Sequence, residues 1–350
     1  MNRFLQLSYM LGLLVCCTTI VRAGNPDRQG EAGAYELLMN PWARSAGLHT
    51  LSTSFITGVE ALQLNVAGLS RINKTEILAG HSIYLQGTDI RTNAFGLAQR
   101  IGKNGTFGLS LMALDFGDIR VTTTDQPEGT GATFSPSFFN LGLSYAHMFE
   151  NKVSVGITVR AVSEAIADVS AFGFAIDAGV QYVTGEQDNF KFGISLRNIG
   201  SRMTFGGEGL ATQGPSPNNG GYDITYEQRA ASFELPSTLN IGMSYDFLIG
   251  ENHRLTAVGN FTANSFSRDE IGAGLEYSLN DNFMLRGAYR YELGIENEIE
   301  ASIYSGISAG ASLEVPLSRD KKNTRFGIDY AYRQTRLWNG THNFSVRIAI

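Results

Sequence analysis

The sequence predicts an all-β protein, a transmembrane antiparallel β-barrel of about fourteen strands preceded by a compact N-terminal piece. Three observations carry this. Strand-length segments alternate apolar with small or polar side chains, the period of an extended chain with one greasy face. The connections between them sort into short turns and long loops. The composition holds 21 Phe, 14 Tyr and 40 Gly against 8 Pro, which suits a closed, curved sheet. The clearest segment is Phe172–Tyr182. Phe172, Phe174, Ile176, Ala178, Val180 and Tyr182 fall on one face, and Gly173, Ala175, Asp177, Gly179 and Gln181 on the other. Its length suits a tilted crossing of a bilayer.

Residues 1–23 read as a signal peptide. Met1–Arg3 is basic, Leu11–Val21 is largely apolar, and Val21-Arg22-Ala23 ends with small residues where a signal peptidase needs them, so cleavage is expected after Ala23. Cys16 and Cys17 raise a lipoprotein reading, but Val15 stands where such a signal wants a small residue. Both cysteines lie in this segment, so the rest of the chain is held without disulfides, as suits a bacterial envelope protein. Removing Arg3 and Arg22 makes the formal charge of −6 more negative still. No basic field remains for nucleic acid.

Residues 24–74 differ from the rest of the chain. Gly24–Gly33 is polar and reads as loose. Ala34–Met39 suits a short helix halted before Pro41, because the residue preceding a proline avoids helical geometry. Trp42–Gly47, a Thr/Ser-rich stretch and Leu62–Leu69 complete a unit read as standing outside the barrel wall. The alternative is an irregular strand pair within it.

Residues 75–350 are assigned to the barrel. The strands are expected at Thr75–Gln86, Ile90–Ile101, Thr106–Thr124, Ser137–Phe149, Lys152–Asp168, Ala171–Thr184 and Asn189–Ile199. Pro236–Leu248, His253–Asn264, Asp269–Leu279, Asn282–Leu293, Glu300–Val315, Asn323–Gln334 and Thr341–Ile350 complete the set. Short turns such as Gly102–Gly105, Glu150-Asn151 and Asn280-Asp281 come after even-numbered strands and are rich in residues that tolerate positive φ. The two longest connections, Asp125–Pro136 and Gly200–Leu235, follow odd-numbered strands. A first strand rising from the periplasm therefore puts both at the cell surface. Phe344, Val346, Ile348 and Ile350 alternate to the last residue, as a closing strand would. A soluble sandwich is the rival, and it would have to cover many one-sidedly aromatic strands.

Chemistry-bearing motifs are absent. There is no P-loop, no dinucleotide-binding glycine turn, no HExxH and no Cys/His cluster, so no catalytic, cofactor or metal residues are predicted. His49, His81, His147, His253 and His342 are scattered. His81-Ser82 point to opposite faces of a strand, and Ser144 with His147 is the other nearby pair. The acidic Glu292–Glu300 run reads as a solvated loop rather than calcium ligands. The longest loop carries Met203, Phe205, Leu210, Tyr222, Ile224 and Tyr226 among glycines. These are candidates for a partner-binding surface or fold-over lid; the competing reading is a loop packed on its own rim.

Gly33-Ala34-Tyr35-Glu36-Leu37-Leu38-Met39-Asn40-Pro41-Trp42-Ala43-Arg44-Ser45-Ala46-Gly47 resembles the opening of the PorV/PorQ family of Bacteroidota barrels. Asn65-Val66-Ala67-Gly68-Leu69 resembles that family's Asn-Pro-Ala-Gly-Leu element, shared in part with long-chain fatty-acid transporters. Arg197–Gly200 and Glu234–Leu239 are similar to its signatures flanking the long loop. The resemblance implies a barrel of the fatty-acid-transporter superfamily with the N-terminal segment as a plug inside it. It also implies service in the type IX secretion system. The PorV type takes the C-terminal domain of exported cargo at the translocon, and the PorQ type pairs with a surface protein. On this basis Asn40, Pro41, Arg44, Asn65, Gly68 and Leu69 are plug or gate candidates. The expected partners are outer-membrane lipid and a translocon subunit or cargo C-terminal domain. The rival from another class is a carrier for hydrophobic small molecules, with lipid or fatty acid in the lumen. A lipid-modifying enzyme is a third reading.

Overall fold

The computed structural model describes residues 24–150, 152–218, 220–295, 301–317 and 324–350. The expected signal peptide and most of the acidic Glu292–Glu300 run lie outside the described residues. Fourteen strands form the wall: β1 Thr75–Ile83, β2 Arg91–Ile101, β3 Gly105–Asp115, β4 Ser137–Phe149, β5 Val153–Ile166, β6 Val169–Thr184 and β7 Phe190–Gly200. Then come β8 Thr238–Ile249, β9 His253–Asn264, β10 Glu270–Leu279, β11 Phe283–Glu292, β12 Tyr304–Pro316, β13 Arg325–Thr335 and β14 Thr341–Ala349. Each pairs antiparallel with its sequence neighbours, and β1 pairs with β14 from Glu76↔Ala349 to Ile83↔His342, closing the barrel. Closure leaves no open edge, so each wall strand has a hydrogen-bonded neighbour on both sides.

Alternation decides which way each side chain faces. Along β6, Ala171, Gly173, Ala175, Asp177, Gly179, Gln181 and Val183 are buried, while Phe172 (58% exposed) and Phe174 (54%) point away from the lumen. The same holds for Leu143, Ile157, Val159, Met243, Leu275, Leu313 and Ile328, all exposed. Rings with polar tips gather near the strand ends. Tyr145 meets His147, His253 bonds Tyr277 at 2.6 Å, and Tyr330 bonds His342 at 2.9 Å. An apolar band flanked by such girdles is what a hydrocarbon layer with two interfaces selects.

Turns after even-numbered strands are short, and the long connections follow β3, β7 and β11. The barrel therefore has a short-turn end and a long-loop end. Two strands stop earlier than the alternation suggested. β1 ends at Ile83 because Leu85 (φ 50°) and Gly87 (φ 112°) turn the chain. β3 ends at Asp115, whose carboxylate accepts from Gly117 N at 2.9 Å. Beyond it Ile119–Arg120 pairs with Thr133–Phe134 in a separate small hairpin.

Residues 32–72 fill the lumen as short helical turns: Tyr35–Leu38, Ala43–Ala46, Ser52–Ser54, Gly58–Glu60, Ala61–Leu64 and Val66–Arg71. They touch wall strands all around, with Ala43–Ala46 on β12–β14, Ser52–Ser54 on β7–β9, Gly58–Glu60 on β1 and β2, and Val66–Arg71 on β3–β6. The main core joins Trp42, Val59, Leu62, Val66, Leu69 and Ile72 of the plug to Leu78, Ala94, Ala98, Met112 and Ala146 of the wall. Each large side chain buried there contributes about 1.5–3 kcal/mol. Wall glycines make room for it. A Cβ on Gly96 would stand 2.1 Å from Val59 Cγ1, and one on Gly193 would stand 2.5 Å from Thr53 O.

Candidate functional site: the plugged lumen and its long-loop face

The predicted plug residues occupy two separate anchorages. Asn40 braces the chain just ahead of the Ala43–Ala46 turn, accepting from Trp42 N at 3.1 Å and donating to Ser45 Oγ at 2.9 Å. Asn343 of β14 donates to its carbonyl at 3.0 Å, and Ser82 of β1 donates to the Pro41 carbonyl at 3.3 Å. Asn65 is held against other strands. Its amide donates to Thr53 O at 2.9 Å and Val180 O at 3.1 Å, and its oxygen accepts from Ala67 N at 3.2 Å. Gly68 lies so close to Ile56 that a Cβ would stand 2.0 Å from its carbonyl oxygen. Leu69 belongs to the main core. These six residues are not brought into one cluster; they lock a fixed insert to the wall at separate points.

Arg44 sits among Glu60, Glu276, Glu314 and Arg347 in a lower-lumen ion network. Arg286 joins Glu276 at 2.5 Å, Arg325 joins Glu314 at 3.1 Å, and Arg347 pairs with Glu314. Glu60 accepts from Ser45 N at 2.9 Å. Burial first, and then Asp329, raise its carboxyl above the ordinary range against the pull of Arg44 and Arg347. The inner wall of this half is thus a charged lattice rather than a greasy pore.

The N-terminal end of the plug lies at the long-loop end, although β1 starts at the other. Gly24 N donates to Asp269 Oδ2 at 2.6 Å in the β9–β10 turn, and Gly33 N donates to Glu234 O at 3.0 Å. Residues 24–33, expected to be loose, are therefore tied down. Arg28 bonds Glu31 at 2.8 Å and stands 4.3 Å over the Phe266 ring. Glu234 takes Arg202 at 2.7 Å and Arg28 at 3.4 Å, and these two hold its carboxylate below its usual range. Glu36 faces Glu164 of β5, carboxyl to carboxyl. Burial first, and then Glu164, push the Glu36 carboxyl up to about 8.

The long loop divides in two. Its two legs pack on the rim: Met203 pairs with Phe233 in an isolated bridge and is fully buried with Leu37, Ala171, Ala175 and Leu235, while Phe205 and Phe233 lie against them. Beyond Leu210, which is half-buried, Ala211–Pro215 pairs with Asp223–Glu227 in a hairpin that sequence reasoning missed. Tyr222 (57% exposed) projects there, Tyr226 (38%) lies across the hairpin and donates its hydroxyl to Pro215 O at 2.7 Å, and Ile224 is half-buried between them. The six loop candidates thus split into a rim anchor and a free tip.

A cavity of about 330 Å³ opens at this end between the plug and β7–β13. Its walls include Arg197, Arg290, Arg333, Glu270 and Glu292, with Tyr35, Leu38 and Met39 on the plug side. Glu270 pairs with Arg290 at 2.9 Å, and Glu292 accepts from Ser302 N at 2.8 Å. Beneath them His49 is fully buried, edge-on to Tyr304 at 5.6 Å, with neither ring nitrogen bonded. Burial first, and then Arg290 and Arg333, hold its imidazole well below the usual range. The backbone at His49 (φ 50°) and Thr50 (φ 65°) is left-handed, a strain that a β-branched residue rarely carries. Arg197 and Arg333 were legible as polar positions on their own strands, but their convergence needed barrel closure. The serine and histidine pairs that lie close in sequence face apart. Ser82 is buried against the plug and His81 is exposed, while Ser144 bonds Thr158 at 2.7 Å inside the wall and His147 joins an outer girdle.

A closed fourteen-strand barrel with an apolar outer band, an N-terminal plug and polar lumen defines an outer-membrane protein. The chain belongs to the type IX secretion system membrane protein PorP/SprF family, whose model matches residues 73–347. The family belongs to the same secretion system as the PorV/PorQ resemblance but does not carry that name, and its match begins after the 33–47 motif that carried the resemblance. No curated protein matches the sequence. Among solved structures, the chain is similar to the Pseudomonas putida toluene transporter TodX (13% identity, 89% of this chain and 97% of that one, TM-score 0.54). It is equally similar to the Ralstonia pickettii toluene transporter TbuX (13%, 89% and 97%, TM-score 0.54). A Pseudomonas aeruginosa FadL homologue shares 11% over 88% of this chain and 97% of that one, with a TM-score of 0.50. At such identity these likenesses speak to fold alone. The family and these neighbours are secretion components and transport channels rather than enzymes.

Proposed function

We propose that this protein is an outer-membrane component of the type IX secretion system that binds an exported or partner protein at its long-loop face. Residues 1–23 direct export and are removed, and residues 24–74 act as a permanent plug. The observation that carries the reading is the hairpin Ala211–Pro215/Asp223–Glu227, whose tyrosines stand exposed above an anchored loop base. Exposed aromatic residues on a hairpin above the rim are what a protein contact uses, since they bury much area at little entropic loss. The partner expected is a translocon subunit or the C-terminal domain of a cargo protein, as the PorV/PorQ-like motif also suggests.

The carrier reading draws its support from the lumen cavity. It is countered by the arginines and glutamates lining that cavity, since a hydrocarbon would strip water from charged groups without replacing it. The test is purification of the tagged protein from its native envelope in mild detergent, beside a Tyr222→Ser/Tyr226→Ser double variant. Recovery of a large translocon subunit, or of proteins sharing a C-terminal domain, with loss in the variant, is the expected outcome. A lone barrel carrying fatty acid would overturn it.

A further inference from the structure

We propose that the long-loop cavity is a receptor for the free C-terminal end of an extended peptide, whose terminal carboxylate seats at Arg333. This rests on the protein-binding reading and gives it an address inside the barrel.

Arg333 is 4% exposed, its guanidinium lies 4.7 Å over the Tyr304 ring, and its Nε has no hydrogen-bond partner. Among the described residues no carboxylate pairs with it, since Glu270 is taken by Arg290 and Glu292 by the Ser302 amide. Arg197, 7% exposed on another wall, also lacks an ion pair among the described residues: it donates to Leu37 O at 2.9 Å and leaves its Nε bare. A buried guanidinium without a paired counter-charge is costly to keep, and its planar fork matches a carboxylate. The side walls narrow the choice of anion. On β8 and β9, Thr262 donates to Asn240 Oδ1 at 2.7 Å, forming a ladder of amide and hydroxyl groups. Such groups pair with peptide N–H and C=O. The facing wall of Leu38 and Met39 suits side chains. A fatty acid would satisfy the arginine but press methylenes against the polar ladder; a peptide end satisfies both. The mouth, at Gln29 and Ser267, lies on the face from which the tyrosine hairpin rises.

The full chain in detergent micelles is titrated with dansyl-Ala-Ala-Ala, with its C-terminal amide, and with palmitate. The free acid is expected to bind saturably, the amide at least about tenfold more weakly, a loss of roughly 1.4 kcal/mol. Arg333→Gln should reduce the acid to the level of the amide while the barrel keeps its heat-modifiable migration. Should Arg333→Gln not fold, the acid–amide difference in the unaltered chain decides alone. Equal binding of acid and amide, no binding of either, or displacement of the tripeptide by palmitate without acid selectivity overturns the proposal. Acid selectivity without partner co-purification would keep the pocket and remove the secretion role. Co-purification without acid selectivity would do the reverse.

Discussion

At the residue scale, the plug is held by a few side chains whose replacement should have separable costs. Trp42 is 2% exposed and fills the space over Gly80. Trp42→Ala should lower plug stability by about 3–5 kcal/mol, the usual cost of a large cavity. Asn65→Ala removes its bonds to the carbonyls of Val180 and Thr53, costing about 1–3 kcal/mol. Both are read as faster amide exchange in residues 52–69, and unchanged exchange in the Trp42 variant would refute the packing account. Glu36 makes the docking of the N-terminal segment depend on pH. Its carboxyl rises from 4.5 to about 8 when docked, so the docked segment keeps a proton that the free one loses between those values. Docking is therefore strongest below about pH 4.5 and weakens as pH rises toward 8, by at most about 1.4 kcal/mol per unit. Limited proteolysis across that range should show increasing cleavage near residue 34, and Glu36→Gln should flatten the trend.

At the scale of elements, the long loop joins a buried base to an exposed tip. Replacing residues 211–227 with two glycines removes no apolar core residue, so the barrel's unfolding midpoint should stay within about 0.5 kcal/mol of the parent. Partner capture should disappear. A large fall in barrel stability would mean that the hairpin packs on the rim in the membrane. By contrast, Met203→Ala should loosen both the loop base and the plug entrance, because Met203 shares a core with Leu37. Fourteen strands were legible from alternation. Their ends were less so, because β1 and β3 stop where left-handed residues intervene. The hairpin escaped notice because Thr212, Tyr226 and their neighbours face solvent on both sides and leave no apolar period.

At the scale of the whole molecule, the plug touches the wall on every side, and an ion network joins its Arg44 and Glu60 to charged wall residues. The intact protein should show no sustained ion conductance in a planar bilayer. Deleting residues 24–72 should produce a stable polar pore, since the inward face carries Ser, Thr, Asn, Asp and Arg. Steady conductance from the intact chain would show that the plug moves.

The sequence by itself determined the barrel, its strand number, the sorting of its loops and the faces its strands show to lipid. These are properties of period and local turn chemistry, which neighbouring residues specify. Only the tertiary structure decided where the N-terminal end emerges, that Met203 is an anchor while Tyr222 is free, and that Arg197 and Arg333 share a cavity. Those facts depend on residues brought together by closure of the sheet, and no period along one strand encodes what faces it across the lumen.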